Sequence, residues 1–356
     1  MLKKAAALLV VCAGIAPWIA CSSTSSHFVY AAIPGASQIL AYREDPNSGV
    51  LTVVAGSPFT TGTTTAPQAL VIHPSKKFLY VANSQENDIA LYTIGSDGGL
   101  TEVTPRTPNV GNTPTLMLMD SAGSFLYVGN AVSLDISVFS IDSGSGALAP
   151  ISGSPFPIGI SPISMQLSPA GNFLFVGGGP GSEGVVESFS LNTGVPVAVG
   201  AFPTNGTSPF GMAVDANGTL LYVANKDSNS ITEFSIDSNG VLAQIPGSPL
   251  GETFTAPIAL QIDSTGQFLY VANEGSNNIA AYTIASDGSL TVLTNSPFGS
   301  ATGPSIFATD PNGKYLLVGN QSSPAIQVFT LGSDGTLSSL ASYSTGNTPT
   351  SIAVLQ

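Results

Sequence analysis

Phe78-Leu79-Tyr80-Val81-Ala82-Asn83 returns as Phe125-Leu126-Tyr127-Val128-Gly129-Asn130, Phe173-Leu174-Phe175-Val176-Gly177-Gly178 and Leu220-Leu221-Tyr222-Val223-Ala224-Asn225. It returns again as Phe268-Leu269-Tyr270-Val271-Ala272-Asn273 and Tyr315-Leu316-Leu317-Val318-Gly319-Asn320, and an earlier copy runs His27-Phe28-Val29-Tyr30-Ala31-Ala32. The slot filled by Tyr80, at 30, 80, 127, 175, 222, 270 and 317 in the seven copies, recurs at spacings of 50, 47, 48, 47, 48 and 47. A fixed period of this size marks supersecondary units that bury a core only by stacking. Within one period four strand-like runs follow one another, as in 69–72, 78–82, 89–94 and 100–103, with turn residues between them. The last two runs of a unit meet at Asp97-Gly98, Asn239-Gly240, Asp287-Gly288 or Asp334-Gly335, turns that supply the positive φ of a tight hairpin. The quoted run is apolar on both faces, which places it inside a sheet covered on both sides. Seven four-stranded antiparallel sheets stacked around an axis make an all-β, seven-bladed β-propeller.

The two ends read as one blade. Residues 349–354 copy the first-strand pattern of 304–308 and have no second strand after them, while residues 27–60 supply a second, third and fourth strand with no first. The C-terminal strand is therefore expected innermost beside the N-terminal three, which closes the ring and leaves no open sheet edge there.

Composition narrows the function classes. Of 356 residues 43% are hydrophobic and only 8% charged, and Gly 39 with Pro 26 leaves no room for long helices. With Lys+Arg 8 against Asp+Glu 21, the net charge of −13 repels nucleic acid and anionic lipid, so a neutral or cationic partner is expected. Lys3 and Lys4 precede an uncharged stretch over 5–20 of the size of a secretory signal core. Ala20-Cys21-Ser22 resembles a bacterial lipobox, so residues 1–20 are expected to be a signal peptide, Cys21 a lipidation site and 21–26 a tether. That reading puts the protein outside the cytoplasm, on a membrane only through its anchor or secreted, with the propeller over 27–356 and a monomeric state expected. Cys12 leaves with the signal, so no disulfide pair remains in the folded part.

The Tyr-Val-Ala-Asn strands, the Asp310-Pro311-Asn312-Gly313 turn and the Ser-Asp-Gly-x-Leu hairpins ending at Leu290 and Leu337 resemble the lactonase family of seven-bladed propellers. That family includes 6-phosphogluconolactonase-like and YVTN-type repeat proteins, and the resemblance spans 27–356. It implies a site on the face carrying the second-to-third strand loops, built from a His and an Arg after the prolines that start innermost strands, and a Glu after an Asn. Those prolines are Pro67, Pro114, Pro162, Pro209, Pro257, Pro304 and Pro349, and the next residues are Gln68, Thr115, Ile163, Phe210, Ile258, Ser305 and Thr350. The family His falls on Thr115 and the Arg on Ile163, so neither is matched. Glu274, after Asn273, matches the family Glu.

Two cations, Arg106 and Lys226, read as loop residues on the same face, whereas Lys76, Lys77 and Lys314 fall in turns on the opposite one. The loops at 84–88, 226–229, 274–278 and 321–323 form a polar, amide-rich rim. Its binding candidates are Glu86, Asn87, Asp88, Asp227, Asn229, Asn277 and Asn278, groups suited to sugar hydroxyls or a peptide. His73 occupies a turn slot held elsewhere by Asp120, Asp215, Asp263 and Asp310, and with His27 it makes no metal cluster. The repeated aspartates brace their own turns, and no calcium loop is present. No metal or cofactor is expected. The first functional reading is a binding or interaction scaffold for a carbohydrate or protein. The second is hydrolysis of an unphosphorylated sugar lactone, with Glu274 as general base and Arg106 or Lys226 polarising the carbonyl. A surface repeat protein that assembles into arrays is the third.

Overall fold

The computed structural model describes residues 27–108, 110–179, 183–251 and 253–355. Residues 1–26, with the expected signal peptide, lipidation site Cys21 and tether, lie outside the described residues. Seven antiparallel sheets surround a central channel. Blade 1 contains His27–Ile33, Gln38–Glu44 and Leu51–Val53, and Ser351–Leu355 lies against His27–Ile33 with Phe28 opposite Leu355 and Ala32 opposite Ser351. Blades 2 to 7 begin at Pro67, Pro114, Ser164, Pro209, Pro257 and Pro304. Closure is reinforced sideways, since the Leu70 N–H donates to Ser351 Oγ at 3.1 Å and Thr350 Oγ1 donates to the Gln68 carbonyl at 3.0 Å.

The repeated hexapeptide works across the seams between blades. Tyr30, Tyr80, Tyr222 and Tyr270 are buried, and their hydroxyls donate to the carbonyls of Gly98, Gly146, Gly288 and Gly335 in the hairpin of the next blade, at 2.9, 2.7, 2.9 and 3.2 Å. The same glycines have positive φ, and a Cβ on Gly146 would come within 2.9 Å of the Phe78 ring, so the first aromatic of the hexapeptide packs where the glycine has no side chain. Blade 4 has Phe175 in the tyrosine slot, and there Ser188 Oγ of the third strand donates to Gly240 O at 2.7 Å. Tyr80→Phe keeps the ring and leaves the Gly146 carbonyl without its donor, so urea unfolding is expected to show a loss of about 1–2 kcal/mol.

The outer strand is split in blades 1, 3, 5 and 6, where short runs such as Leu51–Val53 and Phe59–Thr60 flank Ser57-Pro58 and its equivalents. Ser57, Ser154, Ser248 and Ser296 accept third-strand N–H bonds from Ala41, Val138, Glu233 and Ala281 at 2.8–2.9 Å. A serine hydroxyl thus replaces the backbone acceptor lost at the break. Blades 2, 4 and 7 instead carry continuous outer strands, Leu100–Pro108, Val195–Pro203 and Leu337–Ser344.

The turns behave as expected from their aspartates. Asp120 Oδ1, for example, accepts the N–H groups of Ser124 and Phe125 at 2.7 and 2.8 Å. His73 fills the same slot: Nδ1 accepts the Ser75 N–H at 3.0 Å, leaving Nε2–H to donate to Gly123 O of blade 3 at 3.0 Å. These turns and the hairpins define a lower face, where the described chain both enters at His27 and leaves at Leu355. The ring prolines and the second-to-third strand loops define the upper face.

One buried acid lies on the lower face at the closing seam. Glu44 is fully buried opposite His27, with Oε2 3.5 Å from His27 Nδ1, and neither Glu44 oxygen nor that nitrogen has a hydrogen-bond partner. Burial, and then the negative charge of Asp310 in blade 7, pushes the Glu44 carboxyl up to about 7.

Candidate functional site

On the upper face the residue that ends the second-strand motif is Asn in five of the seven copies, and the next one opens the loop. In blade 5 that residue is Lys226, held by its N–H bond to Ser208 O at 2.9 Å, and in blade 6 it is Glu274, held by Ala256 O at 2.9 Å. Equivalent slots in adjacent blades face one another, so Lys226 Nζ lies 2.6 Å from Glu274 Oε2. The same ammonium stands 4.9 Å from the centroid of the Phe210 ring, which follows Pro209 at the channel mouth and is 39% exposed. Acid, cation and aromatic surface therefore converge at the seam of blades 5 and 6. Both charged side chains are partly open, at 28% and 24% exposure, so solvent and a ligand reach them.

Arg106 is placed elsewhere. It lies within the strand Leu100–Pro108 rather than in a loop, because the continuous outer strand of blade 2 runs past it. Its Nε–H donates to Glu102 Oε1 at 2.5 Å, Nη1 meets Glu86 Oε2 at 3.1 Å and Asp88 Oδ2 at 3.7 Å, and Nη2 donates to the Thr61 carbonyl. Three carboxylates and a carbonyl occupy this guanidinium at the seam of blades 1 and 2, away from Glu274 on blade 6. Of the two expected cations, only Lys226 joins Glu274.

Most of the rim is committed to holding the ring. Asn87, Asn229 and Asn277 adopt left-handed φ values of 56°, 50° and 55°. Their Oδ1 atoms accept the N–H groups of Thr113, Ala256 and Gly303 in the following blade at 2.7, 2.8 and 2.8 Å. Asp88 and Asn278 accept from Asn83 and Asn273 Nδ2 at 2.7 and 3.0 Å. Asp227 accepts the Ser208 hydroxyl, and Glu86 is shared between Arg106 and Thr64. These side chains brace loops and seams, and what remains presented to a ligand is centred on Phe210, Lys226 and Glu274. Thr115 and Ile163, the positions of the family's His and Arg, are half-buried at the channel mouth and bring no charge. Thr115 lines a small channel cavity of about 130 Å³ with Gln68, Thr350, Met117 and Met165.

The sequence does not single out Phe210 as a functional candidate, because it stands among uncharged ring residues and carries no charge itself. The signal available was its size on a ring otherwise made of smaller side chains. A groove of about 680 Å³ lies on the flank between blades 2 and 3 beside Pro105, Pro108, Pro150 and Pro155, and the one cation in its lining is the committed Arg106. Among the described residues no group of three or more His, Cys, Asp or Glu side chains is arranged to hold a metal, and no helix is long and apolar enough to cross a membrane.

The sequence matches the family model described as lactonase, seven-bladed β-propeller, over residues 57–161, 159–250 and 241–354. No curated protein matches it significantly. Among solved structures, a candidate 6-phosphogluconolactonase of Bacteroides fragilis superposes with a TM-score of 0.78 at 18% identity, covering 94% of this chain and 99% of that one. The periplasmic gluconolactonase of Pseudomonas aeruginosa gives a TM-score of 0.76 at 22% identity, covering 93% and 99%. At such identities the likeness is one of fold.

Proposed function

The chain belongs to the lactonase family of seven-bladed β-propellers, and from that premise we propose that its upper face binds a neutral sugar-like ring at Phe210, Lys226 and Glu274. The observation carrying this reading is the convergence of the Lys226–Glu274 pair on the exposed Phe210 ring. An aromatic face accepts the apolar side of a sugar, while the carboxylate accepts hydroxyl protons and the ammonium donates to ring or carbonyl oxygens. An uncharged proline ring and a lone, already paired ammonium favour an unphosphorylated ligand, since a phosphate is held by charge-assisted bonds from free cations. The protein acts as an exported, lipid-anchored or secreted binding module.

A second reading, hydrolysis of an unphosphorylated sugar lactone, is favoured by the 2.6 Å contact itself. A water bound to the Glu274 carboxylate attacks the lactone carbonyl, its proton passes to Glu274, and Lys226 stabilises the developing oxyanion. The ring C–O bond then breaks and the leaving oxygen takes a proton, giving the open hydroxy acid.

Binding and turnover are tested together on residues 21–356 with Cys21→Ser, using a panel of sugars and sugar lactones with and without phosphate. Binding to the neutral members that falls at least tenfold in Glu274→Gln supports the site. Lactone turnover above the spontaneous rate, lost in the same variant, makes the protein a hydrolase. A panel with neither binding nor turnover overturns both readings and turns the search to protein ligands.

A further inference from the structure

On the blade 4 side of this site a cleft of about 390 Å³ is lined by Glu183, Asn205, Gly206, Thr207 and Ser228. It lies beside the proposed site: a Cβ on Gly184, another residue of its lining, would stand 3.2 Å from Pro209 Cδ, next to Phe210, and Ser228 belongs to the loop that begins with Lys226. Its other polar groups are spent. The Thr207 N–H goes to Ser228 Oγ at 3.0 Å, and Asn205 Nδ2 goes to Gln244 Oε1 at 3.0 Å. Glu183 is exposed and, among the described residues, has no ion-pair partner. No Lys or Arg occurs between Arg106 and Lys226, and Lys226 is bound to Glu274. Glu183 is the one charged residue in the cleft lining, and the neighbouring loops add Asp227 and Glu274 against Lys226 alone, so the local charge is net negative.

We infer that the cleft beside Glu183 takes the ammonium group of an amine-bearing sugar whose neighbouring ring lies on Phe210. The inference rests on the carbohydrate reading and narrows it to a cationic ligand class. A carboxylate with no cation of its own attracts an ammonium modestly when exposed, and salt weakens that attraction.

The probes are short glucosamine oligomers, their N-acetylated counterparts and glucose oligomers of equal length, titrated calorimetrically at mildly acidic pH into residues 21–356 carrying Cys21→Ser. The glucosamine oligomer is expected to bind roughly threefold to fivefold tighter than the other two at low ionic strength, with the preference gone at about 0.5 M salt. Glu183→Gln is expected to abolish that preference and leave glucose-oligomer binding unchanged. Asp334→Asn removes the same charge from a lower-face hairpin and is expected to keep the preference. Equal affinities, a preference surviving Glu183→Gln, or an equal loss in Asp334→Asn would each overturn the inference, the last by tracing the effect to diffuse charge. Neutral oligomers that bind through Glu274 without an amine preference would sink this inference alone. No binding by any oligomer would sink the carbohydrate reading with it.

Discussion

Deleting residues 349–356 is expected to leave a protein that melts at least 10 °C lower or aggregates on expression. Ser351–Leu355 is the innermost strand of blade 1, and without it His27–Ile33 presents an unpaired edge to the channel. The strand packs Ile352, Ala353, Val354 and Leu355 against the clusters on either side of the closing seam. Side chains of this kind contribute about 1–2 kcal/mol each when buried, so their sum approaches the whole stability of an ordinary domain, about 5–15 kcal/mol. Loss of the Ser351 and Thr350 bonds to blade 2 adds to it. Differential scanning calorimetry checks the result, and a synthetic peptide of residues 349–356 added in excess should restore part of the lost melting temperature. A truncated protein that melts with the intact one would mean the ring is held by its seams alone.

Glu44→Gln is expected to stabilise the protein at alkaline pH and to be nearly neutral in effect at pH 4. Glu44 ionises near 4.5 when exposed and near 7 in the fold. Neutral Glu44 therefore carries no penalty below the lower value, and the fold loses stability as pH rises from there through about 7. Full ionisation of Glu44 therefore costs about 3 kcal/mol, which glutamine avoids. A Tm gain on the order of 5 °C over the unmodified protein at pH 8 is the expected reading. His27 acts in the opposite sense. Burial, only partly offset by Asp310, lowers its value below 6.5, so its contribution improves with rising pH up to that point. The two slopes partly cancel in the unmodified protein, and the difference between protein and variant is what isolates Glu44. A variant that gains nothing between pH 4 and pH 8 would show that the fold does not raise the Glu44 carboxyl.

The propeller was legible because each signal repeats. A single Asp-Gly is a weak turn marker, but Asp97-Gly98 and Asp287-Gly288 at the same place in their units leave one architecture. His73 was readable as a turn residue by its register alone. Partners across the seams were less legible. Asn87, Asn229 and Asn277 look like free amides in polar loops, because the N–H groups they cap lie 26 or 27 residues further on, in the next blade. The recurrence of Asn at one loop position, a residue that tolerates the left-handed conformation better than most, is the sign the sequence offers. Ser57, Ser154, Ser248 and Ser296, each followed by Pro, were also visible as a repeat, yet a hydroxyl replacing a strand carbonyl becomes evident only when the third strand is in place. Glu274 and Lys226 were nameable from sequence. Their contact follows from occupying one slot in adjacent blades, whereas Arg106 shares no such slot and is held by its own acids.

The interruption of the covalent ring at blade 1 makes this architecture a natural substrate for circular permutation. Phe28 stands opposite Leu355 on the lower face, so a short linker there rebuilds the innermost turn that every other blade already has. New termini placed in any other lower-face turn would leave the loops around Phe210 and Glu274 uncut. Each permuted form is thus expected to keep the upper face as one unbroken surface.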